Sequence, residues 1–195
     1  MADIGIFGGS FDPVHNAHIE TALTAIKEFN LKAVIFVPAY LPPHKVKLQA
    51  SQTHRVNMLK LAIKNFNGLS IDLFEVNSKK VIYTYQTLDY LQKQTNDKLK
   101  LLIGSDSFER LNTWKNIDYI AQKFGFLTLQ RGDIKIDLCN KYYTYTSVGT
   151  TVVENISSTK IKQMLNDRDI NVKNYIPHEV FEYIREHNLY GTENF

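Results

Sequence analysis

The chain has 195 residues, 44% of them hydrophobic and 12% aromatic. That is enough apolar side chain to fill a core, which excludes a disordered or fibrous class, and too little length for two full catalytic lobes, so one domain over 1–195 is expected. The 23 Lys and Arg against 20 Asp and Glu leave a net charge of +3 with the basic residues scattered, which argues against a nucleic-acid arm or a membrane-surface helix and suits a small phosphate-bearing substrate. Cys139 is the single cysteine, so an intramolecular disulfide and a thiolate zinc cluster are ruled out. No apolar run approaches the roughly 18 residues of a membrane span, and the N-terminus lacks the pattern of a secretory leader; a cytoplasmic location is expected.

In chain order, residues 3–7 read as a short strand ending at Gly8-Gly9, and residues 16–29 as a helix with Ile19, Ala22, Leu23 and Ile26 at helical spacing. The continuous, β-branched run over 33–37 predicts a parallel strand covered on both faces, ended by Pro38. Residues 40–50, with Pro42, Pro43, His44, Lys45 and Lys47, form a loop at its C-terminal end. A helix over 51–66 capped by Ser51, a strand over 69–76 and a helix over 84–94 follow. A second apolar strand over 99–103 runs into Gly104-Ser105-Asp106. Beyond it the pattern predicts a helix over 117–123, strands over 124–129 and 150–153, a helix over 157–165 opened by Ser157, and a closing helix over 177–187 with Pro177 in its first turn.

Alternating strands and helices imply a Rossmann-like, doubly wound parallel sheet of the α/β class, with helices on both faces and a small C-terminal helical extension. Ligands of such sheets sit at the C-terminal ends of the strands, where the strand order reverses. The loops after Phe7, Val37 and Ile103 are therefore the ones that matter.

The sharpest local signal is Gly8-Gly9-Ser10-Phe11-Asp12-Pro13-Val14-His15-Asn16-Ala17-His18, between the first strand and the first helix. Glycines let a ligand approach the backbone closely, and a helix start offers N–H groups and a positive dipole end to an anion. The three-glycine dinucleotide fingerprint and the Lys-Ser/Thr of a Walker loop are both missing. His15 and His18 share one side of the helix start; either both face an anion, or one caps and one packs. A zinc site lacks an evident third ligand. Lys45 taken alone is a loop lysine, most of which are merely solvated; Trp114 is a lone tryptophan, more often core than ligand platform; Ser157-Ser158-Thr159 can be a simple cap.

Gly-Gly-Ser-Phe-Asp-Pro-x-His-x-x-His resembles the signature of the nucleotidylyltransferase superfamily, with Ala17 in place of the glycine of its H-x-G-H form. Further segments are similar to those of the bacterial nicotinate-nucleotide adenylyltransferases. These are Pro42-Pro43-His44-Lys45, His54-Arg55-x-x-Met58-Leu59, Tyr83-Thr84 with Thr87-Leu88, Gly104-x-Asp106, Trp114, Ile156-Ser157-Ser158-Thr159-x-Ile161 and Tyr175-Ile176-Pro177. They follow the family's order along nearly the whole chain.

The resemblance implies an enzyme of NAD biosynthesis in which the phosphate of nicotinate mononucleotide attacks the α-phosphorus of ATP, accompanied by Mg²⁺, and releases pyrophosphate. It implies catalytic roles for His15, His18 and Lys45, and ATP contacts from Gly8, Gly9, Ser10, Phe11, Gly104, Asp106, Ile156, Ser157, Ser158, Thr159 and Lys162. Tyr83, Thr84, Trp114 and Lys45 would bind the mononucleotide, Trp114 by stacking on the pyridine ring and Tyr83-Thr84 at the nicotinate carboxylate. No metal ligand of the chain's own is implied. Three residues depart from the family: Lys162 stands for an arginine, Gln86 for an aspartate and Ile82 for a serine, which bears on the phosphate grip and on acid against amide preference. The competing expectations are a related enzyme that shares the histidine signature (a nicotinamide mononucleotide or phosphopantetheine adenylyltransferase, or a cytidylyltransferase) and a non-catalytic nucleotide sensor on the same fold. No nucleic-acid or membrane partner is expected, and a homo-oligomer is left open.

Overall fold

A computed structural model describes residues 3–42, 47–131, 140–151 and 156–193. Its elements in chain order are β1 (Ile4–Gly9), α1 (Asn16–Glu28), β2 (Ala33–Pro38), α2 (Gln52–Ile63), β3 (Leu69–Ile71), α3 (Phe74–Ser78) and α4 (Thr84–Gln92). They continue with β4 (Leu99–Gly104), α5 (Ser105–Phe108), α6 (Ile117–Lys123), β5 (Phe126–Arg131), β6 (Thr146–Thr151), α7 (Ser158–Asn166) and α8 (His178–Glu186). The six strands form one sheet in the order β3-β2-β1-β4-β5-β6, and every neighbouring pair is parallel. Strand order therefore reverses between β1 and β4, the switch point of a doubly wound fold.

The strand period of two divides the apolar residues between two faces. Phe7, Val34, Phe36, Leu102 and Leu127 join the core filled by Ala22 of α1, Leu59 of α2, Ile161 of α7 and Phe181 of α8. Ile4, Ile6, Val37, Leu101, Ile103 and Phe126 join the opposite core, with Leu88 of α4 and Ile120 of α6. Helices cover both faces, as the sequence pattern implies.

Four local expectations are corrected. Residues 69–76 do not form one strand: β3 spans three residues and α3 follows. The Asp72 N–H still donates to the Phe36 carbonyl (2.9 Å), but its Oδ1 accepts the N–H of Phe74 (2.8 Å), a side-chain turn that ends the ladder and opens the helix. The strand expected over 124–129 begins only at Phe126, because Phe124 and Gly125 close α6 and Gly125 takes φ +67°, where a Cβ would lie 2.9 Å from the Tyr145 carbonyl. The last strand spans 146–151 rather than 150–153, of which 152 and 153 lie outside the described residues. Pro177 precedes α8 as its cap, with ψ 144°, instead of occupying its first turn.

Candidate active site

The sheet itself opens the site. β1 stays paired with β2 through Gly9↔Pro38, and β4 with β5 through Gly104↔Leu129, but the β1–β4 ladder ends at Ile6↔Leu101. Phe7–Gly9 and Leu102–Gly104 therefore part from one another, leaving a crevice at the switch point. The two glycines above it differ. A Cβ on Gly9 would come within 2.8 Å of the Phe11 ring, whereas a Cβ on the exposed Gly8 meets nothing within 4 Å. Gly9 is required by packing; Gly8 leaves room above the strand end.

His15 is the buried N-cap of α1, and His18 occupies the third helical position, half-buried. The His15 N–H donates to His18 Nδ1 (3.3 Å), and the two rings lie at a centroid distance of 3.7 Å, inclined by 30°. The His18 ring is braced edge-on by Phe11 at 5.1 Å and at a tilt by Phe7 at 6.0 Å. A nitrogen that accepts an N–H carries no proton, so a neutral His18 has its proton on Nε2. The pair caps the helix reciprocally, and both imidazoles gather at its N-terminus.

Asp12 is 2% exposed, yet it accepts hydrogen bonds from four sources. These are the N–H of Gln49 and of Ala50 (both 3.0 Å), the Tyr190 hydroxyl (2.8 Å) and the Lys162 ammonium (3.4 Å). Burial alone would raise its pKa; the Gln49 and Ala50 N–H groups, the Tyr190 hydroxyl and the Lys162 charge outweigh it and hold the carboxyl below the usual aspartate value. Tyr190 is pushed strongly upward, first by burial and then by the Asp12 charge, so it stays a phenol. Beside this node the fully buried Arg55 donates Nη1–H to the Ser10 carbonyl (2.6 Å) and Nη2–H to the carbonyls of Ala39 (2.7 Å) and Tyr40 (3.3 Å). With Ala39 N–H on the Gly9 carbonyl (2.9 Å), this welds the loop after β2 to the turn after β1.

α7 docks on the same turn. Ser157 caps it by accepting the Lys160 N–H (3.2 Å), and the Ser158 hydroxyl donates to the Pro13 carbonyl (2.9 Å). Ile156 is buried in the core with Phe11, while Ser157 and Thr159 are exposed. Gly8, Gly9, Ser10, Phe11, His15, His18, Ile156, Ser158 and Lys162 are therefore gathered around one turn.

Tyr83, Thr84 and Trp114 belong to the other face. Tyr83, which reads as a strand end by local pattern, is the N-cap of α4, and its N–H donates to Gln86 Oε1 (3.0 Å). Gln86 thus performs the capping task that an aspartate at that position would also perform. Trp114 is half-buried against the core that contains Ile103, and the Lys115 ammonium sits 4.5 Å above the Tyr83 ring. Gly104 ends β4 and Asp106 follows in α5. Lys45 lies outside the described residues, between the anchors Tyr40 and Gln49. Among the described residues, no group of three or more His, Cys, Asp or Glu could hold a metal ion.

Sequence reasoning missed Tyr190, and it noted Arg55 and Asp12 only as parts of the similar segments, without a role. Arg55 had a signal: it shares the helical spacing of Met58, Leu59 and Ala62, so the pattern turns it inward. Tyr190, at positive φ in a 3-10 turn, had none.

A parallel sheet that parts at its switch point beneath a glycine–histidine turn defines a nucleotide-binding α/β fold, and the chain belongs to the cytidylyltransferase-like family, which it matches over residues 6–164. Its similarity is more particular than that. It is 39% identical over 192 residues to a probable nicotinate-nucleotide adenylyltransferase of Endomicrobium trichonymphae, covering 97% of this chain and all of the relative. To the probable nicotinate-nucleotide adenylyltransferase of Clostridium botulinum strain Hall it is 37% identical over 201 residues, with the same coverage. The nicotinic acid mononucleotide adenylyltransferase of Plasmodium falciparum, solved in complex with NaAD, matches the fold with a TM-score of 0.82 at 25% identity, over 97% of this chain and 98% of that one. The chain is a nucleotidyltransferase. Among its described residues, no helix is long and apolar enough to cross a membrane.

Proposed function

We propose that the chain transfers the adenylyl group of ATP to nicotinate mononucleotide, forming nicotinate adenine dinucleotide and pyrophosphate, as a cytoplasmic step of NAD biosynthesis. The observation that carries the reading is the crevice between β1 and β4. On one side stand the exposed Gly8 and the His15–His18 pair; on the other stand Trp114 and α4, whose start carries Tyr83 and Thr84. One polyanion enters from each side.

A phosphate oxygen of the mononucleotide forms a bond to the α-phosphorus while the bond from that phosphorus to the pyrophosphate oxygen breaks. The substrate is its own nucleophile, so the protein has only to position two anions and stabilise the charge that builds on the leaving group. His18 offers Nε2–H to the triphosphate, its ring held by the His15 N–H and the two phenylalanines. His15 adds a second imidazole at the positive end of α1, and Lys45 adds a cation from the loop after β2. Gly8, Gly9 and Ser10 let the phosphates meet the backbone, and the α7 start at Ser157–Thr159 with Lys162 flanks the nucleotide. Mg²⁺ enters with ATP as part of the substrate.

At the opposite wall, Trp114 presents a ring to the pyridine. Gln86 already engages the Tyr83 amide, so Thr84 supplies the N–H and hydroxyl for the nicotinate carboxylate. Incubation with ATP, Mg²⁺ and either nicotinate or nicotinamide mononucleotide, followed by mass spectrometry, tests the reading. Nicotinate adenine dinucleotide as the favoured product is expected; absence of either dinucleotide would overturn it.

A further inference from the structure

We infer that Asp12 is a positioning residue for the ATP side of this reaction and that Tyr190, remote in sequence and buried under the site, acts through it. The inference rests on the adenylyl-transfer reading above.

Asp12 joins four pieces of the fold that no continuous element connects. Its own backbone lies in the turn between Gly9 and the His15 cap. Its Oδ2 accepts from Gln49 N–H and Lys162, and its Oδ1 from Ala50 N–H and Tyr190. Gln49 and Ala50 lead directly into Ser51, the cap of α2, the helix that carries Arg55. Lys162 is a lysine of α7 with its side chain one quarter exposed, and the Asp12 carboxylate beside it sets where its ammonium stands. A single buried carboxylate therefore fixes the Lys162 ammonium relative to the histidine turn. Tyr190 completes the set: it is 4% exposed, and its hydroxyl satisfies the oxygen that the Lys162 ammonium does not reach. Without that donor, an oxygen of a buried anion is left with one partner, and the carboxylate can rotate away from Lys162.

A purely structural role for this node predicts a different result from a positioning role. Structural loss lowers the folded fraction and the apparent turnover but leaves both KM values alone. A misplaced Lys162 ammonium weakens ATP and spares the mononucleotide.

Tyr190→Phe, which keeps the ring in the core, is the primary test, with Lys162→Met and the double variant beside it. All are studied well below their unfolding temperatures, by steady-state kinetics and by calorimetric titration with ATP. Tyr190→Phe should raise KM and Kd for ATP about tenfold, the scale of one hydrogen bond to a charged group, and change the mononucleotide KM less than about twofold. In the Lys162→Met background the same substitution should add less than about threefold, because its effect runs through the missing ammonium.

Unchanged ATP affinity in Tyr190→Phe overturns the inference, whatever the melting temperature does; so does equal weakening of both substrates, or full additivity in the double variant. A wild-type protein that binds ATP but forms no dinucleotide sinks the proposed function instead, and the calorimetric comparison still decides the role of Asp12 and Tyr190. A wild-type protein that does not bind ATP overturns both.

Discussion

The backbone N–H of His15 points at Nδ1 of His18, 3.3 Å away, so one imidazole closes the helix start while its far nitrogen is turned to the other side of the ring. Capping and anion contact are thereby divided between two atoms of the same side chain. His18→Asn separates them, since the asparagine oxygen can stand where Nδ1 stands and nothing replaces Nε2. The expected outcome is a melting temperature within about 2 °C of wild type and turnover lowered about a hundredfold or more. Differential scanning calorimetry and product formation measured on the same preparation check it.

Gly8 and Gly9 should respond oppositely to the same added methyl. At Gly9 the methyl meets the Phe11 ring at 2.8 Å, so Gly9→Ala should cost about 1–3 kcal/mol of stability, read by urea unfolding. At Gly8 the space is open on the protein side; Gly8→Ala should leave stability within about 0.5 kcal/mol. Its kcat/KM should fall about tenfold or more as the methyl enters the phosphate path.

Arg55 is completely buried and its guanidinium serves the carbonyls of Ser10, Ala39 and Tyr40. Arg55→Met leaves those acceptors unsatisfied and removes positive charge from beside Asp12, so a loss of about 3 kcal/mol is expected. For a chain of this size that is a drop of roughly 6–12 °C in melting temperature. Arg55→Lys, which keeps the charge but cannot fork between two loops, should fall between. Thermal unfolding followed by circular dichroism ranks the three proteins.

Asp12 also makes a prediction about pH. Its native carboxyl titrates below the ordinary value of 3.8, so the unfolded chain takes up the proton first as acid is added. The contribution is therefore fully present above 3.8 and fades as pH falls through the lower native value. The stability gap between wild type and Asp12→Asn should be constant from about pH 7 to pH 5 and shrink below 3.8. Glu75 acts in the opposite sense, because burial raises its carboxyl above 4.5 and native stability improves as pH falls toward that value. Comparing the two proteins in a Glu75→Gln background, which keeps an acceptor for the Thr87 hydroxyl (2.6 Å), removes the overlap. Urea titrations across this range decide it; a gap that widens on acidification contradicts the assignment.

Much of the fold was legible because its signals are local. Continuous apolar runs marked β2 and β4, helical spacing marked α1, and Ser51 and Ser157 announced the caps that they form. The failures were local too, but of another kind. The strand after residue 69 stopped early because the Asp72 side chain competed with the ladder for a backbone N–H, an event that an apolar pattern does not register. Tyr83 reads as a strand end only while its Gln86 partner is ignored.

Residue order alone determined the glycine–histidine turn, its place between a strand and a helix, and the doubly wound class, since each follows from neighbours within a few positions. Only the tertiary structure decided that β1 and β4 separate beyond Ile6, that Arg55 binds two loops, and that Asp12 meets a hydroxyl 178 residues away. The physical reason is that a buried charge takes its partners from whatever the packed core brings within hydrogen-bonding distance, and spacing along the chain does not encode that distance.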